Sequence, residues 1–247
     1  MGIVISFIIG ALLASFAGVI AERLGTGESW VRGRSHCNAC NRTLQPLDLV
    51  PILSYVLSIG RCRTCTARIP LSYAISELLL GAVFALLYVT IQQPLVLFLF
   101  FAFTFLLAVL VLYDLRHTIV PFRLSLVLVV LGGLIATVSA SSHVSLAHTF
   151  LIAGGIAVFF YGLHVFSKGR WMGLGDTPVA LALSLAVGSS ALPGLLYSFW
   201  SGSIVGIVLL VLRSRGRTIH TEIPFVPFLA FGYLIAFFIP WNPFVLM

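Results

Sequence analysis

Long apolar runs separated by short polar segments dominate this sequence of 247 residues. A helix needs about 20 mostly apolar residues to cross the hydrocarbon of a bilayer. The runs lie at about 2–22, 72–91, 95–113, 121–140, 148–167, 177–190, 193–212 and 224–243. The sixth run is short, so a half-helix is an alternative there, and Leu192-Pro193-Gly194 after it is typical of a tight turn. The pattern predicts an all-α polytopic membrane protein with about eight transmembrane helices.

The composition excludes the other broad classes of protein. Hydrophobic residues make up 60% of the chain and charged residues only 9%, whereas soluble domains average about 25% charged residues. Disordered chains are poor in apolar residues, and a transmembrane β-barrel would need alternating segments of about 10 residues. Only a helical membrane protein fits these values.

The basic residues predict the sidedness of the helices. All 14 Lys and Arg residues fall in or beside the odd-numbered connections: Arg23, Arg32, Arg34, Arg42, Arg61, Arg63, Arg68, Arg116, Arg123, Lys168, Arg170, Arg213, Arg215 and Arg217. Short loops rich in Lys and Arg stay in the cytoplasm, so we expect both termini outside it. The same bias explains the net charge of +7 without a nucleic-acid partner. No basic segment precedes the first run, which we interpret as a retained helix rather than a cleaved signal peptide.

The first connection contains all four cysteines of the chain, as the pairs Cys37-Asn-Ala-Cys40 and Cys62-Arg-Thr-Cys65. Two such pairs supply the four thiolates of a tetrahedral Zn²⁺ site. Four sulfur ligands leave no open position, so this metal would be structural. Redox-active pairs or unligated thiols are the alternative, although a cytoplasmic loop disfavours disulfides. His36 is a further candidate for one ligand position.

Seven carboxylates are present, and they divide by their surroundings. Glu22 and Glu28 flank the cysteine-containing loop and are expected on a solvated face, and Asp48 reads as a turn residue. Glu77 lies inside the second apolar run, where an ionisable side chain is either functional or paired. An arginine of the loop is the expected partner in the second case.

Asp114 and Asp176 are the candidate catalytic residues. By the predicted topology, both lie at the same membrane face, Asp114 at the end of the third run and Asp176 before the sixth. Two carboxylates in one site share a proton, which is the chemistry of aspartic proteases. The sequence alone does not show that they meet, and Asp176 would also suit the N-terminal cap of the sixth helix. His117 would lie on the same helix face as Asp114 and modulate it.

Other catalytic motifs are missing from the sequence. It contains no Gly-x-Ser-x-Gly elbow, no His-Glu-x-x-His zinc-protease motif and no Walker loop. His143, His148 and His164 are scattered and are interpreted as structural.

Five segments resemble those of one known family. They are Ser35-His36-Cys37-Asn38-Ala39-Cys40 with Leu47-Asp48-Leu49-Val50-Pro51-Ile52-Leu53-Ser54-Tyr55 and Gly60-Arg61-Cys62-Arg63-Thr64-Cys65, then Ser76-Glu77-Leu78-Leu79, Asp114-Leu115-Arg116 with Ile119 and Pro121, Gly173-Leu174-Gly175-Asp176, and Ile223-Pro224-Phe225-Val226-Pro227-Phe228-Leu229-Ala230. The chain resembles the type IV prepilin peptidases along nearly its whole length. It departs from their pattern at Pro178, where lysine is usual, at Gly18, where asparagine is usual, and at Val226, where glycine is common.

The resemblance implies an intramembrane aspartic endopeptidase of the bacterial inner membrane, with Asp114 and Asp176 as the catalytic pair. The family cleaves the basic leader of type IV prepilins and pseudopilins on the cytoplasmic side. Many members then methylate the new N-terminus with S-adenosylmethionine, an activity placed in the cytoplasmic domain. The expected division is a first transmembrane helix at 1–22, a tetra-cysteine metal-binding domain at 23–71 and a transmembrane peptidase domain at 72–247.

Two other functions remain open at this point. One is a transporter or scaffold whose cytoplasmic domain is stabilised by a metal ion. Such a protein would use the aspartates to bind a cation or a partner. A methyltransferase without protease activity is disfavoured because both aspartates are present. A prepilin has an apolar helix in the bilayer and a basic leader in the cytoplasm. A peptidase that cleaves it needs an active site that opens to both.

Overall fold

The computed structural model describes residues 1–24, 26, 29, 32–214 and 223–239 of the chain. Within them the protein consists of helices and two short 3-10 turns, and the only β-pairing described is two isolated bridges. The helices are α1 (Gly2–Arg23), α2 (Leu53–Leu57), α3 (Leu71–Thr90), α4 (Pro94–His117), α5 (Phe122–Ser139), α6 (His143–Ser167), α7 (Asp176–Val187), α8 (Ala191–Ser214) and α9 (Val226–Phe238). All but α2 correspond to the apolar runs of the sequence, so the predicted all-α membrane fold is confirmed.

Six described segments are long and apolar enough to cross a membrane. They are α1, α3, α4, α5, α6 and the stretch Asp176–Leu212, which contains α7 and most of α8. The 12 residues of α7 extend only about 18 Å at 1.5 Å per residue, which agrees with the half-helix interpretation of the sixth run.

The tight turn predicted at Leu192-Pro193-Gly194 is misplaced. Those residues lie inside the first turn of α8, where proline is tolerated because the first backbone N–H groups have no helical partner. The helix is interrupted instead at the 3-10 turn Gly188–Ser190. Gly188 has a φ of +61° there, a conformation that glycine adopts at little cost.

Two compact units divide the chain, one of Met1–Leu112 and one of Tyr113–Met247. In the first unit, α1 packs against α3 through facing small residues. A Cβ atom on Gly10 would lie 2.7 Å from the carbonyl oxygen of Leu80, so the two backbones are nearly in contact. The buried side chains of Ala14, Leu80 and Phe84 form the adjoining core.

In the second unit, α7 is the central helix. Nine of its residues are buried, and they are mostly small: Asp176, Pro178, Val179, Ala180, Ala182, Leu183, Ser184, Leu185 and Ala186. The hydroxyls of Ser184 and Tyr233 share a hydrogen bond of 2.7 Å between α7 and α9. These contacts hold α7, which begins at Asp176, inside the unit.

Several sequence-based expectations have no structural counterpart. Glu28, Arg215, Arg217 and the side chain of Arg213 lie outside the described residues. The orientation of the termini and the division at 22 and 71 stay predictions.

The contact between α5 and α7 predicts contrasting effects of two neighbouring substitutions. A Cβ atom on Gly132 would lie 2.5 Å from the carbonyl oxygen of Ala182, whereas one on Gly133 would meet nothing within 4 Å. We expect Gly132→Ala to lower the free energy of unfolding by about 1–3 kcal/mol through overpacking. Gly133→Ala is the control and should leave the melting temperature in detergent unchanged or slightly raised. Equal melting temperatures for the two variants would contradict the helix contact.

Candidate active site and metal centre

Asp114 occupies the last turn of α4 and is buried, with 3% of its surface exposed. Its Oδ2 atom accepts a hydrogen bond of 3.1 Å from the backbone N–H of Val226, the first residue of α9. The first N–H groups of a helix lack helical partners and carry partial positive charge, so this position favours a carboxylate. The contact joins residues far apart in sequence, and no sequence motif indicated it.

The segment after Asp114 turns back against the loop that precedes α7. Thr118 takes a φ of +53°, and its N–H donates to the carbonyl oxygen of Asp114 at 2.8 Å. Val120 then lies against Gly175, where a Cβ atom would come within 2.6 Å of the Cβ of Val120. Only glycine fits at position 175 without displacing this contact, which explains one glycine of the Gly-Leu-Gly-Asp segment.

Asp176 is the first residue of α7, with 7% of its surface exposed. Its backbone N–H donates to the carbonyl oxygen of Gly173 at 3.3 Å, and its carboxylate accepts a hydrogen bond from the N–H of Gly173. The charges of Asp114 and Asp176 act on each other. The two buried carboxyl groups of the second unit are therefore close enough for their charges to interact, a proximity that the sequence alone did not establish.

His164 anchors the loop that leads to Asp176. Its Nδ1 atom lies 3.0 Å from the carbonyl oxygen of Met172, immediately before Gly173. The Oγ atom of Ser167 accepts a hydrogen bond of 3.2 Å from the N–H of Trp171. These bonds fix the loop from the end of α6, and a structural role for His164 was expected from the sequence.

His117 has a different environment from the one expected. Its side chain is exposed and its ring packs on Tyr113, with 4.4 Å between the ring centroids. The structure describes no bond between His117 and the Asp114 carboxylate, so nothing in the described contacts supports a modulating role.

The four cysteines of the first unit form one cluster on two matching turns. In the first turn, the N–H of Cys37 donates to the carbonyl oxygen of Arg42, and in the second the N–H of Cys62 donates to that of Ala67, both at 2.9 Å. Antiparallel bridges close both turns, His36 to Thr43 and Arg61 to Arg68. The loop is thus a tandem pair of the same hairpin.

The sulfur positions fit a tetrahedral metal ion. The four Sγ atoms, of Cys37, Cys40, Cys62 and Cys65, lie within 4.8 Å of one another, and Cys37 and Cys65 are 3.8 Å apart. A metal–sulfur bond of about 2.3 Å places tetrahedral sulfurs about 3.8 Å from each other. His36 is not part of this cluster.

The protonation of the thiols also suits a cation. Backbone N–H groups of Cys65 and Thr64 lower the pKa of Cys62 to about 6, and those of Ala39 and Cys40 lower the pKa of Cys37. The N–H of Ala67 lowers the pKa of Cys65, but burial and the neighbouring sulfurs raise it more, to about 11. Some thiols therefore ionise near neutral pH, and the full set of thiolates needs a positive ion.

Asp48 joins the two hairpins rather than merely ending a turn. Its carboxylate contacts Arg42 at 2.7 Å and Arg63 at 3.3 Å, one arginine from each hairpin. The backbone N–H of Gln45 also donates to its Oδ2 atom at 3.1 Å. The sequence-based interpretation as a turn residue was incomplete because these arginines are brought together only when the two hairpins fold.

Glu77 does not have the arginine partner that was expected as one alternative. Its Oε2 atom accepts a hydrogen bond of 2.7 Å from the backbone N–H of Ile52. Ile52 has a φ of +61°, which is a strained conformation for a β-branched residue. Glu77 therefore fixes an unfavourable turn just before α2.

A cavity of about 240 Å³ lies between the hairpins and the ends of α1 and α3. Its lining includes carboxylates, arginines and tyrosines, among them Glu22, Asp48, Glu77, Arg61, Tyr55 and Tyr73. The Oε1 atom of Glu22 accepts a hydrogen bond of 3.0 Å from Asn38, which ties the first hairpin to α1. The cavity surface is mostly apolar, and several charged side chains lie among its lining residues.

Two family models match the chain. Residues 8–91 match a model described as the bacterial peptidase A24 N-terminal domain, and residues 101–211 match the type IV leader peptidase family. The first match contains the cysteine cluster and the second contains both aspartates. No solved structure matches the chain.

Curated relatives carry consistent names. A prepilin leader peptidase/N-methyltransferase of Bacillus subtilis (strain 168) is 26% identical over 94% of this chain and 92% of its own length. One of Aeromonas salmonicida (strain A449) is 31% identical over 82% of this chain and 70% of the relative. A relative of Escherichia coli O78:H11, named type 4 prepilin-like proteins leader peptide-processing enzyme, is 32% identical over 81% of this chain and 73% of its own length.

The sulfur geometry predicts one bound metal ion per chain. Cys62→Ser removes a buried ligand, so we expect the purified variant to lose the metal in elemental analysis. His36→Ala is the matched control, because His36 adjoins Cys37 without belonging to the cluster, and it should retain the metal. Metal loss in both variants, or in neither, would contradict the ligand set.

Proposed function

Because the chain belongs to the type IV leader peptidase family, we propose that this multi-pass membrane protease cleaves the leaders of type IV prepilins and pseudopilins. We assign the catalytic roles to Asp114 and Asp176. The observation that carries this assignment is the convergence of these two buried carboxyl groups in one site. Family membership favours a peptidase over a transporter or scaffold.

The proposed chemistry needs one proton on the pair of carboxyl groups. The ionised member takes a proton from a water molecule, which attacks the carbonyl carbon of the scissile bond. The protonated member donates to the carbonyl oxygen, as in aspartic proteases. The carbon–nitrogen bond then breaks, and the leaving amine takes up a proton.

Backbone hydrogen bonds would hold both carboxyl groups in place during this reaction. Asp114 receives the N–H of Val226, and Asp176 receives the N–H of Gly173. Each keeps a second oxygen for the water or the substrate. A carboxylate fixed by backbone groups needs little rearrangement to reach the transition state, which is how preorganised sites lower a barrier.

The substrate side of the proposal follows from the membrane setting. A prepilin combines an apolar helix, which lies in the bilayer, with a basic leader that remains in the cytoplasm. We place the enzyme in the bacterial inner membrane with its basic connections and its active site facing the cytoplasm. Both termini would then lie on the opposite side.

We assign a structural Zn²⁺ to the four cysteines, since thiolate ligands in tetrahedral geometry favour zinc. The ion would hold the two hairpins together through Cys37, Cys40, Cys62 and Cys65. Residues of both hairpins line the neighbouring cavity, so its walls would be held in place as well. When bound, the ion supplies folding energy rather than catalysis, because all four positions are filled by protein sulfurs.

We further propose that the cavity of the first unit binds S-adenosylmethionine and methylates the new N-terminus. The relatives' names support this second activity. The lining carboxylates Glu22 and Glu77 suit a cationic donor, and Tyr55 and Tyr73 suit a purine ring. Cleavage and methylation would then occupy different units of the chain.

Isosteric amide substitutions test the catalytic pair. We expect Asp114→Asn and Asp176→Asn each to lower prepilin cleavage by about 10²–10⁴-fold or more, because the acid–base group is lost. Cleavage is measured by the mass of a pilin substrate in membranes containing the enzyme. His117→Ala, exposed and outside the pair, is the control and should cleave normally. Normal cleavage by either amide variant would reject the mechanism.

Filling the cavity tests the methyl-donor site separately. Ala74 lines the cavity on α3, and we expect Ala74→Phe to lower methylation by about tenfold or more, a loss of about 1.4 kcal/mol in binding. Cleavage should remain. Leu79→Phe places the same aromatic side chain on an exposed face of α3 and should leave both activities intact. Mass spectrometry of the mature N-terminus, with and without S-adenosylmethionine, distinguishes the two reactions, and unchanged methylation in Ala74→Phe would refute the site.

A further inference from the structure

The short helix α2 has its polar and apolar faces reversed from those of a water-exposed helix. Ser54, Tyr55 and Ser58 line the cavity. On the opposite face Leu53, Val56 and Leu57 are 53%, 63% and 66% exposed. A surface helix of a soluble domain turns its apolar stripe inward and its polar residues toward water. Here the apolar stripe points away from the protein.

The exposed apolar surface continues on both sides of α2. Leu47, Leu49 and Val50 precede it and Ile59 follows it, all with large exposed fractions. A contiguous apolar surface of this kind marks a site of contact with a membrane or another molecule. The loop is otherwise rich in arginine, so the surface is confined to this segment.

The hydrogen bond between Glu77 and Ile52 fixes the depth of the segment in the membrane. α3 has 20 residues, about 30 Å at 1.5 Å per residue, which equals the hydrocarbon thickness of a typical bilayer. Glu77 lies about 9 Å along this helix from Leu71. Because helical side chains lean toward the N-terminus, its carboxylate lies nearer that end. With the hydrocarbon boundary at Leu71, the Ile52 amide therefore lies within about 9 Å of that boundary.

The helix that holds Ile52 through Glu77 also exposes apolar residues at this end. Near the same end of α3, Leu71, Ile75, Leu78 and Leu79 are exposed, as expected for a helix that meets acyl chains. Interfacial helices bury their apolar face about 5–10 Å into this region. The position of Ile52 along α3 and the outward apolar face of α2 both indicate that lipid acyl chains cover this face.

From these observations we propose that residues 47–59 lie in the membrane interface, with Leu53, Val56 and Leu57 inserted among the acyl chains of the adjacent leaflet. The segment forms one wall of the cavity, so insertion places the cavity at the membrane surface. The strained backbone of Ile52, held by Glu77, sets the angle at which α2 enters. This inference does not depend on the proposed catalytic activities.

Photolabelling of the full-length protein tests the proposal. The protein is placed in nanodiscs of phosphatidylcholine and phosphatidylglycerol that contain a trace of lipid with a diazirine in its acyl chain. We expect adducts on Leu53–Leu57 at a level comparable to those on Leu78 and Leu79, and none on the hairpin 35–44. Adducts on α3 without adducts on α2 would overturn the proposal. That result would mean that water or another protein, rather than lipid, covers residues 47–59.

A charged variant provides the second measurement. The double substitution Leu53→Glu and Val56→Glu should remove most adducts from α2, leave those on α3 and retain the metal ion, which shows that the hairpins are folded. Thr43→Glu, an exposed change on the first hairpin, is the matched control and should leave all adducts unchanged. Persistence of the α2 adducts in the double variant would also overturn the proposal.

Discussion

A hydrogen bond from the backbone of Val226 to the side chain of Asp114 organises the second unit. It connects the end of α4 to the start of α9, and α9 in turn contacts α7 through the bond between Tyr233 and Ser184. Asp176 begins α7. Three helices that are distant in sequence are therefore arranged around two carboxyl groups. The link is a backbone N–H at a helix start, which has no partner within its own helix.

The sequence predicted the helices well because apolar runs of sufficient length have few alternatives in a membrane. The cysteine cluster was also predictable, since paired cysteines at short spacing suit one coordination geometry. Contacts set by tertiary packing were not predictable. The partner of Glu77 proved to be a backbone amide rather than an arginine, and the turn before α8 formed at Gly188–Ser190 because proline is accommodated in a first helical turn.

The structure shows how the fold accommodates the three residues that depart from the family pattern. Val226 uses its backbone N–H to hold Asp114, so the valine side chain does not interfere, and it is fully buried. Pro178 lies in the first turn of α7 and is buried, where a proline costs no helical hydrogen bond. At Gly18 a Cβ atom would lie 3.7 Å from the Tyr73 ring, an ordinary van der Waals distance, so the position accommodates a Cβ atom.

The shortness of α7 has a consequence for how a peptide bond meets the carboxyl groups. Twelve residues cover about 18 Å, little more than half the thickness of the hydrocarbon. Helix α7 forms a candidate span only together with the residues of α8 that follow the turn at Gly188–Ser190. Asp176 therefore lies at the start of a helix that is interrupted after three turns. In the mechanism proposed above, a helical substrate must unwind over several residues before a backbone carbonyl reaches Asp114 and Asp176, because a helix keeps its carbonyl groups hydrogen-bonded to its own backbone.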